Sequence, residues 1–201
     1  MSQATKGWVG LATIPVRRFT CGHCGVAVGA KAGYYYEEAP SPSRDNLRGV
    51  AGPNQAKRFA IPCPSCDSVS YFNEGKQVPG PPYGRDVASA PSPVADVYRE
   101  ARNCMTVAAH TGAVMLCRKL LMNVAVAKGA AGNLKFIEYV EWLDANGYIP
   151  PNGKGWVDYM RKKGNEATHE IHVSERGDAE KLITFAEMIL MFVYELPAAI
   201  A

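Results

Sequence analysis

The sequence of 201 residues lacks a long apolar run and a leader-like N-terminus. No stretch of about 18 apolar residues occurs, and the longest apolar run, Met188 to Val193, lies between Glu187 and Glu195. Residues 1–10 contain no charged segment followed by an apolar core. We therefore expect no membrane span and no secretory signal, and we expect the protein in the reducing cytoplasm.

A strong net charge is also lacking, because 22 basic and 19 acidic residues leave a formal charge of +3. Residues 1–80 nevertheless contain nine Lys and Arg against five Asp and Glu, whereas the remainder contains thirteen against fourteen. This excess is compatible with nucleic-acid contact but too small to establish it. The apolar content of 47% excludes a wholly disordered chain and supports a buried core.

Four of the six cysteines form two C-x-x-C pairs, Cys21 with Cys24 and Cys63 with Cys66. Each such turn directs two thiolates to one point, and two turns together supply the four sulfurs of a tetrahedral Zn²⁺ site. The alternative, disulfides or redox thiols, fits less well with a reducing compartment and with two copies of the motif. The spacing predicts one structural zinc ion.

Short runs typical of β-strands surround these pairs, at Pro15–Thr20, Gly33–Glu37, Arg58–Pro62 and Ser68–Phe72. Between them, residues 39–57 are dense in Pro, Ser, Gly and Asn, which predicts an exposed insert loop. Residues 1–79 therefore have the pattern of a small β zinc ribbon. Metal binding would supply much of the folding free energy of so small a core.

A proline-rich linker is predicted over residues 80–93, and a helical pattern follows over residues 94–201. Apolar residues three and four positions apart predict five helices, with Asn133 and Asp178 as N-caps and Pro197 as the final stop. The chain is therefore predicted to be α+β, with an all-α bundle after the ribbon. The five predicted spans are 93–106, 107–128, 133–145, 154–170 and 178–196.

One polar stripe of the bundle carries candidate chemistry, because Arg161, Asn165 and His169 follow one another at four-residue intervals. A cation that holds phosphate, beside a histidine that moves a proton, is the minimum for metal-independent RNA cleavage. The alternative is a buried polar contact between helices beside a solvated basic face. The residue types alone leave both interpretations open.

Basic residues near the ribbon and the stripe are candidates for contact with nucleic acid, with aromatic neighbours that could stack on bases. The basic candidates are Arg17, Arg18, Lys57, Arg58, Lys162 and Lys163, and the aromatic ones are Phe19, Tyr34, Tyr35, Tyr36 and Phe59. The aromatic residues could equally form the small core of the ribbon, an alternative that we favour for Phe19 and Phe59.

The stretch from about Asp96 to Leu196 resembles the bacterial domain-of-unknown-function family 4145. The resemblance is carried by an Ala-rich first helix at 101–104, the text LCRKLL at 116–121, and RKKGNEATH at 161–169. That family is similar to the HEPN superfamily of helical bundles, which includes toxin, abortive-infection and CRISPR-associated RNases as well as inactive versions.

The resemblance implies a HEPN-like bundle that dimerises, so that two copies of the active pattern meet across the dimer. That pattern has an arginine directly before the polar residue, and this chain has Gly164 there, before Asn165. The favoured interpretation is a catalytically degenerate adaptor or dimerisation module associated with RNA or DNA. Phage defence is the role that the resemblance suggests for it. The alternative is a defence-type or toxin-type endoribonuclease in which His169 acts as acid and base, Asn165 orients it, and Arg161 or Lys163 holds the phosphate. A module that binds only a protein partner is the third possibility.

Overall fold

The computed structural model describes residues 7–37, 52–166 and 173–200, except for the side chains of residues 163–166. A five-stranded antiparallel sheet forms its N-terminal unit. The strands follow the chain in the order β1 to β5 across the sheet. Their bounds are Gly7–Thr20, Ala27–Glu37, Arg58–Pro62, Val69–Asn73 and Lys76–Val78. The first two strands are longer than predicted, and β5 was not predicted. Most of the predicted insert loop, residues 39–57, lies outside the described residues.

Alternation along the strands gives this sheet two different faces. One face carries the small core of the unit, made of Ile14, Ala30, Phe59, Ile61 and Phe72. Phe59 pairs with Phe72 across β3 and β4, and both side chains are buried. The core assignment that we favoured for Phe59 is therefore confirmed, and Phe19 packs against the same cluster.

Helices make up the second unit, and the predicted α+β class is confirmed. The helix α2 packs against α1, α3 and α5, so its apolar side chains lie at the centre of the core. The bounds are α1 Ser92–Thr106, α2 His110–Ala127, α3 Phe136–Ala145, α4 Lys154–Glu166, α5 Arg176–Leu190 and α6 Leu196–Ala199. A 3₁₀ turn, Pro151–Gly153, precedes α4, and a π-helical segment, Met191–Glu195, joins α5 to α6.

The ends of three helices differ from the prediction. Asn133 has a φ of +63° and lies before α3, which begins after Lys135. Asp178 lies in the first turn of α5 rather than at its cap, and accepts a hydrogen bond from the Tyr159 hydroxyl at 2.6 Å. Pro197 does not stop the last helix, because it lies in the first turn of α6, where a proline needs no N–H donor.

Among the described residues, one helix, Arg176–Ala199, is long and apolar enough to cross a membrane by length and composition alone. Core helices of globular units have the same composition. Here the apolar side of α5, including Ile183, Phe185 and Ile189, is fully buried in the helical core. The composition alone is therefore weak support for a membrane span.

The segment 83–88, within the predicted linker, is fastened to the helices of the second unit. Arg102 is buried in α1 and donates to the carbonyl oxygens of Tyr83 and Gly84 at 3.0 and 2.9 Å, and to the Asp86 carboxylate. The compact units divide between Pro82 and Tyr83, so this segment belongs with the helices.

Glu195, near the end of the helical unit, also binds the segment 83–88. Its carboxylate accepts hydrogen bonds from Arg85 at 2.7 Å and from the Ala88 N–H at 2.8 Å. These two hydrogen bonds hold the pKa of Glu195 below its ordinary value of 4.5, and the hydrogen bond from Arg85 is the larger cause. A carboxylate with a depressed pKa stabilises the folded state above its unfolded pKa, and that stabilisation is lost as the pH falls.

We expect Glu195→Gln to lower the Tm of the protein at neutral pH and to make the fall of Tm between about pH 6 and pH 3 shallower than in the wild type. The reason is that the variant no longer has the carboxylate whose protonation weakens the attachment. Circular dichroism melting at a series of pH values measures the effect. Asp96→Asn is the control, because its carboxylate pairs with Arg99 on the exposed surface. Parallel curves for the wild type and Glu195→Gln would contradict the prediction.

Candidate metal centre

The first C-x-x-C pair forms a tight loop directly after β1. The N–H of Cys21 donates to the Val26 carbonyl at 3.0 Å, and the N–H of Gly25 donates back to the Cys21 carbonyl at 2.9 Å. Gly25 has a φ of +72°, a conformation that glycine adopts without steric cost. The N–H of His23 points at the Cys21 sulfur at 3.4 Å, so the loop already directs a donor to one thiolate.

The second pair, between β3 and β4, repeats this loop. The N–H of Cys63 donates to the Ser68 carbonyl and the N–H of Asp67 donates to the Cys63 carbonyl, both at 2.9 Å. Asp67 has a φ of +58° at the position equivalent to the glycine, and aspartate is among the residues that adopt this region. The Ser65 N–H lies 3.4 Å from the Cys63 sulfur.

The two loops bring four sulfurs together. The Sγ atoms of Cys21, Cys24, Cys63 and Cys66 all lie within 4.8 Å of one another. Cys21 and Cys66 are 3.8 Å apart, and Cys24 and Cys63 are 3.9 Å apart. Four sulfurs at about 2.3 Å from a central ion stand about 3.8 Å from each other, whereas a disulfide needs about 2.05 Å. The four cysteines are therefore free thiols placed to hold a metal ion.

Burial and hydrogen bonding act in opposite directions on these thiols. Cys21 and Cys63 are buried, whereas Cys24 and Cys66 reach the surface. Burial raises the pKa of Cys21 from 9.0 to about 11. Hydrogen bonds from Ser68 lower the pKa of Cys66 from 9.0 to about 6. A cation bound among the sulfurs would favour the thiolate at every position, because its charge offsets the cost of burial.

His23 lies inside the first loop but is not part of the sulfur group. Its side chain is exposed, and Nε2 lies 3.2 Å from the Val69 carbonyl oxygen. In the part of the chain that the structure describes, the four cysteines are the one group of three or more candidate ligands close enough to share an ion.

The backbone after β5 supports the first loop. A methyl group placed on Gly22 would lie 2.4 Å from the Pro79 carbonyl oxygen and 2.5 Å from that of Gly80. The Gln77 side-chain amide donates to the Thr20 carbonyl at 2.8 Å and to the Pro79 carbonyl at 2.9 Å, which ties the end of β1 to this segment. Sequence reasoning missed Gln77, because a three-residue strand gives no periodic signal.

The predicted catalytic stripe begins in α4 with Arg161, the one member whose side chain lies among the described residues. Arg161 pairs with Glu141 of α3 at 2.9 Å and with Asp158 at 2.8 Å. These carboxylates raise the pKa of Arg161, the hydrogen bond to Glu141 being the larger cause. Lys162 is exposed. The side chains of Lys163 and Asn165 lie outside the described residues, as does the whole of His169.

The four basic candidates near the sulfur loops are not brought to one surface. Arg17 stacks on Phe59 of the core face, with its Cζ 3.8 Å from the ring centroid, and burial lowers its pKa. Arg58 lies on the opposite face of the sheet, 4.5 Å from the ring centroid of Tyr36. Lys57 pairs with Glu74 at 3.5 Å, and Arg18 is exposed beside a shallow groove.

Comparison with protein families gives a match over the helical unit. The family model described as a domain of unknown function, DUF4145, matches residues 99–200. No curated protein matches the chain, and no solved structure matches it.

We expect Gly22→Ala to lower the free energy of unfolding by roughly 1–3 kcal/mol, because the methyl group would press on two backbone carbonyl oxygens. Chemical denaturation of the metal-loaded protein measures the change. Gly29→Ala is the control, since no atom lies within 4 Å of the added methyl there. Equal stabilities for the two variants would show that the contact at Gly22 relaxes without cost.

Proposed function

Because the chain belongs to the DUF4145 family through residues 99–200, we propose that it is a non-enzymatic adaptor associated with nucleic acid. In this proposal a zinc ion organises the β unit, which contacts RNA or DNA, and a HEPN-like helical unit forms homodimers. The protein would act in the cytoplasm. A role in phage defence, or binding of a further protein partner, would follow from the same resemblance.

Zinc is the metal that best suits the sulfur group. Four cysteine thiolates are soft ligands in a tetrahedral arrangement, which selects zinc or iron–sulfur chemistry over hard cations. The separations of 3.8 and 3.9 Å suit a single ion at the centre of the group. With four thiolates bound, zinc has no open position for water or substrate, so its role would be structural.

One observation carries the non-enzymatic part of the proposal, namely the ion pairs of Arg161. A phosphate-holding arginine must offer its N–H groups to the ligand, and here two carboxylates, Glu141 and Asp158, accept from them. The sequence adds a second argument, because Gly164 stands where the active HEPN pattern has arginine. Cleavage of an RNA phosphodiester would therefore need a phosphate-holding cation from a residue other than Arg161.

The nucleic-acid part of the proposal is supported by the charge of the N-terminal part and by cations placed beside aromatic rings. Arg58 lies over Tyr36 on the outer face of the sheet. Guanidinium groups next to aromatic rings combine phosphate attraction with base stacking.

We expect the purified protein to contain one zinc ion per chain and the Cys63→Ser variant to contain far less, because a thiolate ligand is lost. Elemental analysis together with native mass spectrometry measures the stoichiometry. Cys104→Ser is the matched control, since Cys104 lies in α1 and outside the sulfur group. Protons compete for thiolates, so zinc retention should fall as the pH falls. Equal zinc contents in the two variants would refute the assignment.

We expect the protein to bind labelled RNA or DNA without cleaving it, and the affinity to fall steeply as salt rises, because phosphate contacts release counterions. The measurement is binding by anisotropy and cleavage by gel, with and without EDTA, since EDTA removes contaminating metal nucleases but can strip zinc.

His169→Ala and His110→Ala are compared in the cleavage assay. Suppose that RNA is cleaved to 2′,3′-cyclic phosphate ends and that this cleavage is lost in His169→Ala but kept in His110→Ala. This result would refute the adaptor proposal and show that the protein is an endoribonuclease. Absence of binding to any nucleic acid would instead favour a module that binds only protein.

A further inference from the structure

The face of the sheet opposite the small core carries a group of four aromatic residues, two of them exposed and two half-buried. We call it the aromatic face, and define it by Trp8, Tyr34, Tyr36 and Tyr71, with Arg58 beside them. The register places Trp8 opposite Tyr36 and Tyr36 next to Arg58, while Tyr71 lies opposite Ala60 on the neighbouring strand pair. Trp8 is 50% exposed and Tyr34 is 38% exposed.

The rings of the aromatic face meet edge to face. The ring centroids of Trp8 and Tyr36 are 5.7 Å apart at 81°, and those of Trp8 and Tyr71 are 6.0 Å apart at 63°. Rings in this arrangement do not stack flat on one another, so π-surface is left for another flat ring. Exposed tryptophan and tyrosine grouped in this way are typical of a binding surface rather than of scattered apolar residues.

The charge of this face is complementary to phosphate. Arg58 lies 4.5 Å from the Tyr36 ring centroid, and Lys76 occupies the same row of the sheet on β5. Within the described strands, no Asp or Glu alternates onto this face. Two acids are near this face in sequence. Glu37 ends β2 directly after Tyr36 and alternates onto the opposite face, and Glu74 lies in the turn between β4 and β5 and pairs with Lys57 at 3.5 Å.

We propose that the aromatic face binds single-stranded nucleic acid, with unpaired bases stacked on Trp8 and Tyr71 and phosphates held by the exposed Lys76. This inference rests on the proposed nucleic-acid association and names its site and substrate class. A flat array of rings suits single strands, because bases in a duplex already stack on their neighbours and do not offer their faces. Stacking contacts the face of a base and not its hydrogen-bonding edge, which predicts weak sequence preference.

Single-residue variants of the zinc-loaded full chain test the site, with fluorescein-labelled single-stranded and double-stranded oligonucleotides of about 12 nucleotides. Trp8→Leu and Tyr71→Leu keep apolar bulk but remove the π-surface, and Lys76→Gln removes an exposed cation. The controls are two variants outside the aromatic face. Lys57→Gln removes a cation that pairs with Glu74, and Tyr148→Leu removes a ring of the helical unit. Each variant is first shown to retain zinc, so that loss of binding is not loss of folding.

We expect each aromatic substitution to weaken single-strand binding roughly five- to a hundredfold, because stacking on one side chain contributes that much. Lys76→Gln should weaken binding and reduce its salt dependence, and both controls should bind like the wild type. Bound bases should also quench tryptophan fluorescence in the wild type and not in Trp8→Leu.

Two other results are distinguishable. Binding by the wild type that survives Trp8→Leu and Tyr71→Leu, or that prefers duplex, would overturn this site and leave the proposed function intact. No binding of either oligonucleotide by the wild type would overturn both.

Discussion

Convergence of the four sulfurs is the constraint on which the β unit depends. Its two loops lie 39 and 45 residues apart in the chain, measured between their paired sulfurs. Among the described residues of the unit, the core cluster has five buried apolar side chains. A core of this size gives little free energy to offset the ordering of so long a segment. A shared ion would hold β1 and β3 at fixed positions, and with them the register that puts aromatic rings on one face and the small core on the other.

The sulfur group could be predicted from sequence because both loops are local and the C-x-x-C spacing allows few geometries. The surfaces could not, because they depend on register. Arg17 and Arg58 have the same charge and similar neighbours in sequence, yet Arg58 is adjacent to Phe59 in β3 and so points away from the ring on which Arg17 stacks. Trp8 was missed for the same reason: it precedes the predicted first strand, and its partners are 28 and 63 residues away.

Periodicity placed the helices well and their ends less well. Apolar spacing reports where one side of a helix is buried, and it identified the spans that became α1, α2 and α3. Capping preferences report only a local tendency, which tertiary contacts override. Asp178 is an example, because its hydrogen bond to Tyr159 of α4 serves packing between helices rather than the start of α5. Arg161 is another, since its ion pair to α3 could not be inferred from its own helix.

Because residues 83–88 are hydrogen-bonded to the helices, the boundary of the compact helical unit differs from the boundary of the family match. The two are usually assumed to coincide. The span shared with the family begins at residue 99, inside α1. The compact helical unit begins sixteen residues earlier, at Tyr83. A fragment cut at the family boundary would lose the backbone acceptors of the buried Arg102 and the partners of Glu195. The part of the chain that matches the family and the part that packs as one compact unit therefore have different limits, and the compact unit is the longer of the two.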